Sequence, residues 1–237
     1  MALMLEISWK MRQKYINKTY HLLLFAAATL LLAQVNIFAK QNSQKTAPAL
    51  YLLTPDPNST KTVIADANNF RDLQLQKKSH AEIPAAKGPN LVVVTHGWIE
   101  TKPWPRDLAA AIRAKTADPS WFFGWYDWRE DARCIIPTDA AVFAKDIGGP
   151  LLGAEIIDLS KDWRHVHLIG HSAGSWLISE AAAVISKHTN ATIHLTFLDA
   201  YVPPSWHESE LGDFLNDPNA MGFCEHYFTK DLTLTTT

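Results

Sequence analysis

A serine with a glycine two residues away on either side stands at Gly170-His171-Ser172-Ala173-Gly174. It falls between Val166-His167-Leu168-Ile169, which reads as a strand, and the stretch Ala173 to Ser186, which reads as a helix. On a tight strand-to-helix turn a serine hydroxyl is held out for attack on a carbonyl, while the flanking glycines make room for neighbouring backbone. The free amides at the helix start stabilise the charge that develops on the carbonyl oxygen. Ser172 is thus a candidate nucleophile, Gly170, His171 and Gly174 form its turn, and the Ala173 amide is one oxyanion donor. Upstream, the strand Leu91-Val92-Val93-Val94-Thr95 runs into His96-Gly97-Trp98, where a glycine lets the backbone aim a second amide, that of Trp98, at the serine.

An acid and a histidine must complete such a set. Asp199 ends the strand Ile193 to Leu198 at the carboxyl edge, where open α/β sheets bind ligands, and would orient an imidazole. Asp127 also follows a strand but precedes the serine, whereas this chemistry on this kind of sheet uses the chain order serine, acid, histidine. Of the histidines after Asp199, His207 comes too soon for another strand to have crossed the sheet, and His226 is better spaced. The segments 227–229 and 232–236 read as strands. Either His226 is the base, or the base lies beyond Thr237.

The elements that hold these residues alternate along the chain. Tyr51 to Thr54 and Val63 to Ala65 read as an antiparallel hairpin around Pro55-Asp56-Pro57-Asn58. Then come the strand Leu91 to Thr95, a helix from Arg106 to Ala117 and a strand from Trp121 to Trp125. A helical stretch from Thr138 to Asp162 follows, broken or kinked at Gly148-Gly149-Pro150. Apolar strands separated by helices predict an α/β fold with a mostly parallel sheet covered by helices on both faces.

The chain of 237 residues is 47% hydrophobic and 19% charged, the balance of an ordinary globular protein. Residues 1–39 carry four basic residues against Glu6, or +3, so from a total of −2 the remainder carries −5. An acidic remainder disfavours nucleic acid as a partner. The basic stretch to Tyr20, the apolar run Leu22 to Ala33 and the small residue Ala39 form the pattern of a secretory signal, followed by a tether over 40–49 and a domain over 50–237. The 12-residue run is short of the ~20 a membrane span requires, which leaves an uncleaved anchor as the lesser alternative. Cys134 and Cys224 are the cysteines, so one bridge or two thiols are the open choices.

From Leu50 to Pro204 the chain resembles the pancreatic-lipase-like branch of the α/β-hydrolases. Val166 to Gly174 is similar to that family's nucleophile strand and elbow, and Val94-Thr95-His96-Gly97-Trp98 to its oxyanion segment. Tyr126-Asp127-Trp128-Arg129 resembles its Asp-Trp, Phe197-Leu198-Asp199 its acid, and Cys224-Glu225-His226 its Cys-x-His. The resemblance implies an α/β-hydrolase fold and an esterase or lipase working through an acyl-serine, with Ser172 and Asp199 in the matched roles and His226 the candidate base through the short Cys-x-His match. It implies no cofactor and no metal, and a small-molecule or lipid ester as substrate. The family's proline after the acid is Ala200 here, and its long segment between acid and histidine is missing or very short. A peptidase or thioesterase, or an inactive or truncated hydrolase-fold binding protein, are the alternatives, since the same triad serves all acyl transfers. His165 and His167 lie two apart on a strand and could share a metal ion, but no third ligand is evident at a supporting spacing. The aromatic run Trp121 to Trp128 suits core packing or an acyl pocket.

Overall fold

The computed structural model describes residues 46–55, 70–74 and 89–229. Nearly all belong to Ala47–Thr237, the second of two units into which the chain divides. The strands are β1 (Ala49–Pro55), β2 (Phe70–Gln74), β3 (Asn90–Thr95), β4 (Trp121–Asp127), β5 (His165–His171), β6 (Thr192–Leu198) and β7 (Gly222–Tyr227). The helices are α1 (Trp104–Lys115), α2 (Arg129–Ala132), α3 (Pro137–Phe143), α4 (Gly149–Leu159) and α5 (Gly174–His188). Among the described residues the strands form one sheet in the order β2-β1-β4-β3-β5-β6-β7. From β4 to β7 every neighbouring pair is parallel, while β1 runs antiparallel to both β4 and β2. This is an α/β fold with a mostly parallel sheet.

The sheet separates two cores. Leu91 and Val93 of β3, Val166 and Leu168 of β5, and Ile193, Leu195 and Phe197 of β6 share one core with Leu152 and Ile156 of α4 and Trp176, Leu177, Ile178 and Ile185 of α5. Val92, Val94, Phe123, Trp125 and Ile169 point the other way and bury Ala109 and Ala110 of α1. All six residues of β3 are buried, as a strand covered on both faces must be. β5 and β6 instead alternate, with His165, His167, Thr192 and His194 only half-buried between fully buried apolar neighbours. The alternation reflects the helices: α4 and α5 cover one face, whereas α1 packs over β3 and β4 on the other.

Three local expectations are corrected. The entering hairpin exists, but its second strand is Phe70–Gln74; Val63 to Ala65 lie outside the described residues, as do residues 1–39 and 232–236. The helix around Gly148-Gly149-Pro150 is not broken, because a π-helical turn, Ala144–Gly148, joins α3 to α4. A wider turn ahead of Pro150 accommodates the hydrogen bond that proline cannot donate. Gly149 sits where α4 meets α5, and a Cβ there would stand 2.6 Å from the Leu177 carbonyl oxygen. The last strand begins at Gly222 rather than Tyr227, so His226 lies within it. Gly222 permits this start, because any side chain would strike the Ile193 backbone of β6. The aromatic run of β4 is mainly core, with Phe123, Trp125, Tyr126 and Trp128 buried, and Cys134 and Cys224 are both unbridged.

Gly149→Val forces α4 away from α5 and should lower unfolding free energy by roughly 1–3 kcal/mol, seen as an earlier urea midpoint with an unchanged slope.

Candidate active site

Ser172 stands between β5 and α5 in the left-handed region, φ +52°. Its amide donates to the Leu198 carbonyl at 2.9 Å and its carbonyl accepts from the Ser175 amide at 3.1 Å. The turn is thus fastened to β6 on one side and α5 on the other. Backbone from β3 presses against it. A Cβ on Gly97 would lie 2.7 Å from the Ser172 Cβ and 2.8 Å from the His171 carbonyl oxygen, and one on Gly174 would strike the His96 carbonyl. Trp98 is therefore one residue from the serine's contact point, with its indole N–H donating to the Cys134 carbonyl at 2.9 Å. Ala173 is fully buried at the start of α5.

A second layer holds the His96-Gly97 backbone. The Trp128 indole N–H lies 3.1 Å from both the His96 carbonyl and Thr95 Oγ1, the Trp128 amide donates to His96 Nε2 at 3.2 Å, and the two rings stack at 5.2 Å. Asp127 caps the turn ahead of α2 by accepting from Arg129 at its amide (3.1 Å), Nε (2.9 Å) and Nη2 (2.7 Å). Burial pushes the Asp127 carboxyl up, but the His96 ring, 3.5 Å away at Nε2, and the Arg129 donors outweigh it and hold the carboxyl well below the usual range. His171 packs edge-on to Trp104 at 5.7 Å, and its burial lowers its pKa.

The acid and the histidine occupy the same edge of the sheet as Ser172. Gly170, Phe197 and His226 are register partners across β5, β6 and β7, so His226 stands two strand spacings, about 10 Å, from Gly170. Asp199, also at positive φ (+44°), sends its amide to the Tyr227 carbonyl at 2.8 Å. An open cleft of about 360 Å³ is lined by Asp199, Ala200, Glu208, His226, Phe228 and Thr229. Within it the pairing differs from the sequence expectation. The Asp199 carboxylate accepts from the Thr229 amide at 2.5 Å and from the Thr229 hydroxyl at 3.1 Å, and the amide bond holds its pKa below the ordinary value. The carboxylate at hydrogen-bond distance from His226 is Glu208, 2.6 Å from Nδ1. His226 Nε2 accepts from the Ala200 amide at 3.3 Å. Ser172 Oγ makes no hydrogen bond among the described residues.

Sequence reasoning therefore brought Ser172, Gly97, Ala173, Asp199 and His226 to one edge but missed Glu208. The chain-order rule allowed Glu208, which also lies between the serine and the histidine. Its one distinguishing signal was its position in the loop opposite β7, which the sequence alone does not place. No family model and no curated protein matches this chain.

Because the folded-state pKa of Asp127 is depressed, its contribution to stability is present above the unfolded value near 4 and fades as pH falls through the folded one. Asp127→Asn should be less stable than wild type at neutral pH. In urea unfolding across a pH series, that deficit should narrow below about pH 4.

Proposed function

We propose that this protein is a serine hydrolase of the α/β-hydrolase class, similar to the pancreatic-lipase-like branch, that cleaves a carboxylic ester through an acyl-serine. The observation that carries the reading is Ser172 itself: a non-glycine residue at φ +52° on a strand-to-helix turn, with β3 backbone packed against it. A serine has no conformational reason to occupy that position, and strained residues cluster where geometry serves chemistry. In this reading Ser172 attacks the ester carbonyl, and the Trp98 and Ala173 amides receive the oxyanion. His226 takes the serine proton and returns it to the departing alcohol; water then repeats the sequence on the acyl group. Glu208 orients the ring through Nδ1, the bond the geometry supports, while Asp199 faces the same cleft as a second negative charge. The substrate is a small or lipid ester, no cofactor takes part, and the leader over 1–39 exports the protein.

His226 must release the Ala200 amide and swing toward Ser172 to act as base. That bond occupies the ring nitrogen a base must use, and it supports a second reading in which the cleft binds a ligand without turning it over.

Intact-mass labelling with a fluorophosphonate separates the two. The hydrolase reading expects one adduct, absent in Ser172→Ala, and a fall in ester turnover of roughly 10²-fold or more in His226→Ala. Glu208→Gln should slow turnover more than Asp199→Asn; the reverse order would return the orienting role to Asp199. No adduct on folded wild type overturns catalysis in favour of binding, and faster cleavage of amides or thioesters than of esters overturns the substrate class.

A further inference from the structure

On the sheet face away from His226, three adjacent parallel strands bring metal-ligating side chains together. His167 of β5 and His194 of β6 are register partners, and Glu225 of β7 pairs in register with Thr196. Each of His167, His194 and Glu225 offers a ligand atom, and these atoms lie within 4.8 Å of one another. We propose that His167, His194 and Glu225 form a divalent transition-metal site, of the kind zinc occupies, on the half-buried polar face of β5, β6 and β7.

The donor set suits such an ion. Two imidazoles and one carboxylate are borderline N and O ligands, and in a tetrahedral site they leave one position for water or a substrate atom. The geometry is close to closed. His194 Nε2 lies 3.0 Å from Glu225 Oε1, and the two imidazoles stack at 3.7 Å. Ligands at about 2.0–2.2 Å from a tetrahedral ion sit roughly 3.3 Å apart, so the widest pair must approach by about 1.5 Å, within the reach of a histidine side-chain rotation.

The surroundings are arranged as supports. Thr196 Oγ1 donates to Glu225 Oε1 at 2.7 Å and lies 2.8 Å from His167 Nε2, while the Tyr227 hydroxyl donates to Glu225 Oε2 at 3.1 Å. Both imidazole Nε2 atoms thus face oxygens now, and ligation through Nε2 takes that nitrogen in its unprotonated form. Such outer partners fix carboxylate orientation around metals. Phe223 stacks on His194 at 4.0 Å and walls one side. β6 spends three face positions, Thr192, His194 and Thr196, on polar residues, and one ion would account for His194 and Thr196 together. Faces alternate along a strand, so Glu225 and its neighbour His226 point to opposite sides and this site is independent of the serine cleft.

Calorimetric titration of the full chain, stripped by chelator, with Zn²⁺ alone tests the proposal, and the visible absorption of Co²⁺ substituted into the site gives a second readout. The expected result is one ion per chain, with affinity lowered at least tenfold in His194→Gln, Glu225→Gln and His167→Gln and lowered about 10- to 100-fold in Thr196→Val. His165→Gln, on the same face but outside the cluster, should bind as wild type does. Absence of uptake by folded wild type overturns the proposal without needing any variant. Uptake equal in wild type and His194→Gln, or lost equally in His165→Gln, overturns it as well. Fluorophosphonate labelling of Ser172 in chelator reports on the serine cleft separately.

Discussion

The site depends on one close approach of backbone to backbone. The His96-Gly97 segment leaving β3 and the Gly170-to-Gly174 turn leaving β5 come so near that no side chain fits at Gly97 or Gly174. Neighbouring strands in a sheet are held about 4.8 Å apart, and here two connections leave that spacing at the same edge and remain in contact. Everything around the contact serves to hold it: the Trp128 indole on the His96 carbonyl, Arg129 locking Asp127 and the turn beyond it, and the Ser172 amide on β6. The parallel sheet is the frame that lets these short connections meet.

Much of this was legible in the sequence, for a physical reason. Glycine where a side chain cannot fit leaves a mark in the residue types themselves, so the serine turn, the β3 segment and the run of strands and helices could be read from spacing alone. The pairing of His226 could not. Asp199 and Glu208 both follow the serine, both are acids, and only the course of the loop after β6 decides which lies beside the ring. Loop paths are set by tertiary contacts such as Lys145 to Glu210 at 2.8 Å and Gly212 to Ser179 at 2.8 Å, which no local pattern announces.

The three-strand cluster illustrates the same limit from the other side. Along β5 alone the sequence offers His165 and His167 and no third ligand. The partners are on β6 and β7, 27 and more residues away, and register alone brings them alongside His167. The alternation of β5 and β6 was the available clue: polar residues recurring on one face of a strand whose other face is core mean that the polar face meets solvent or a ligand.

Ser172, Asp199 and Ile99 all carry positive φ, and each adjoins the contact or the cleft. For residues with a side chain that conformation costs on the order of 1–3 kcal/mol each, which glycine would not incur. The fold would therefore be more durable if the serine were erased. The margin of stability given up at these turns is one that the buried halves of the sheet must supply.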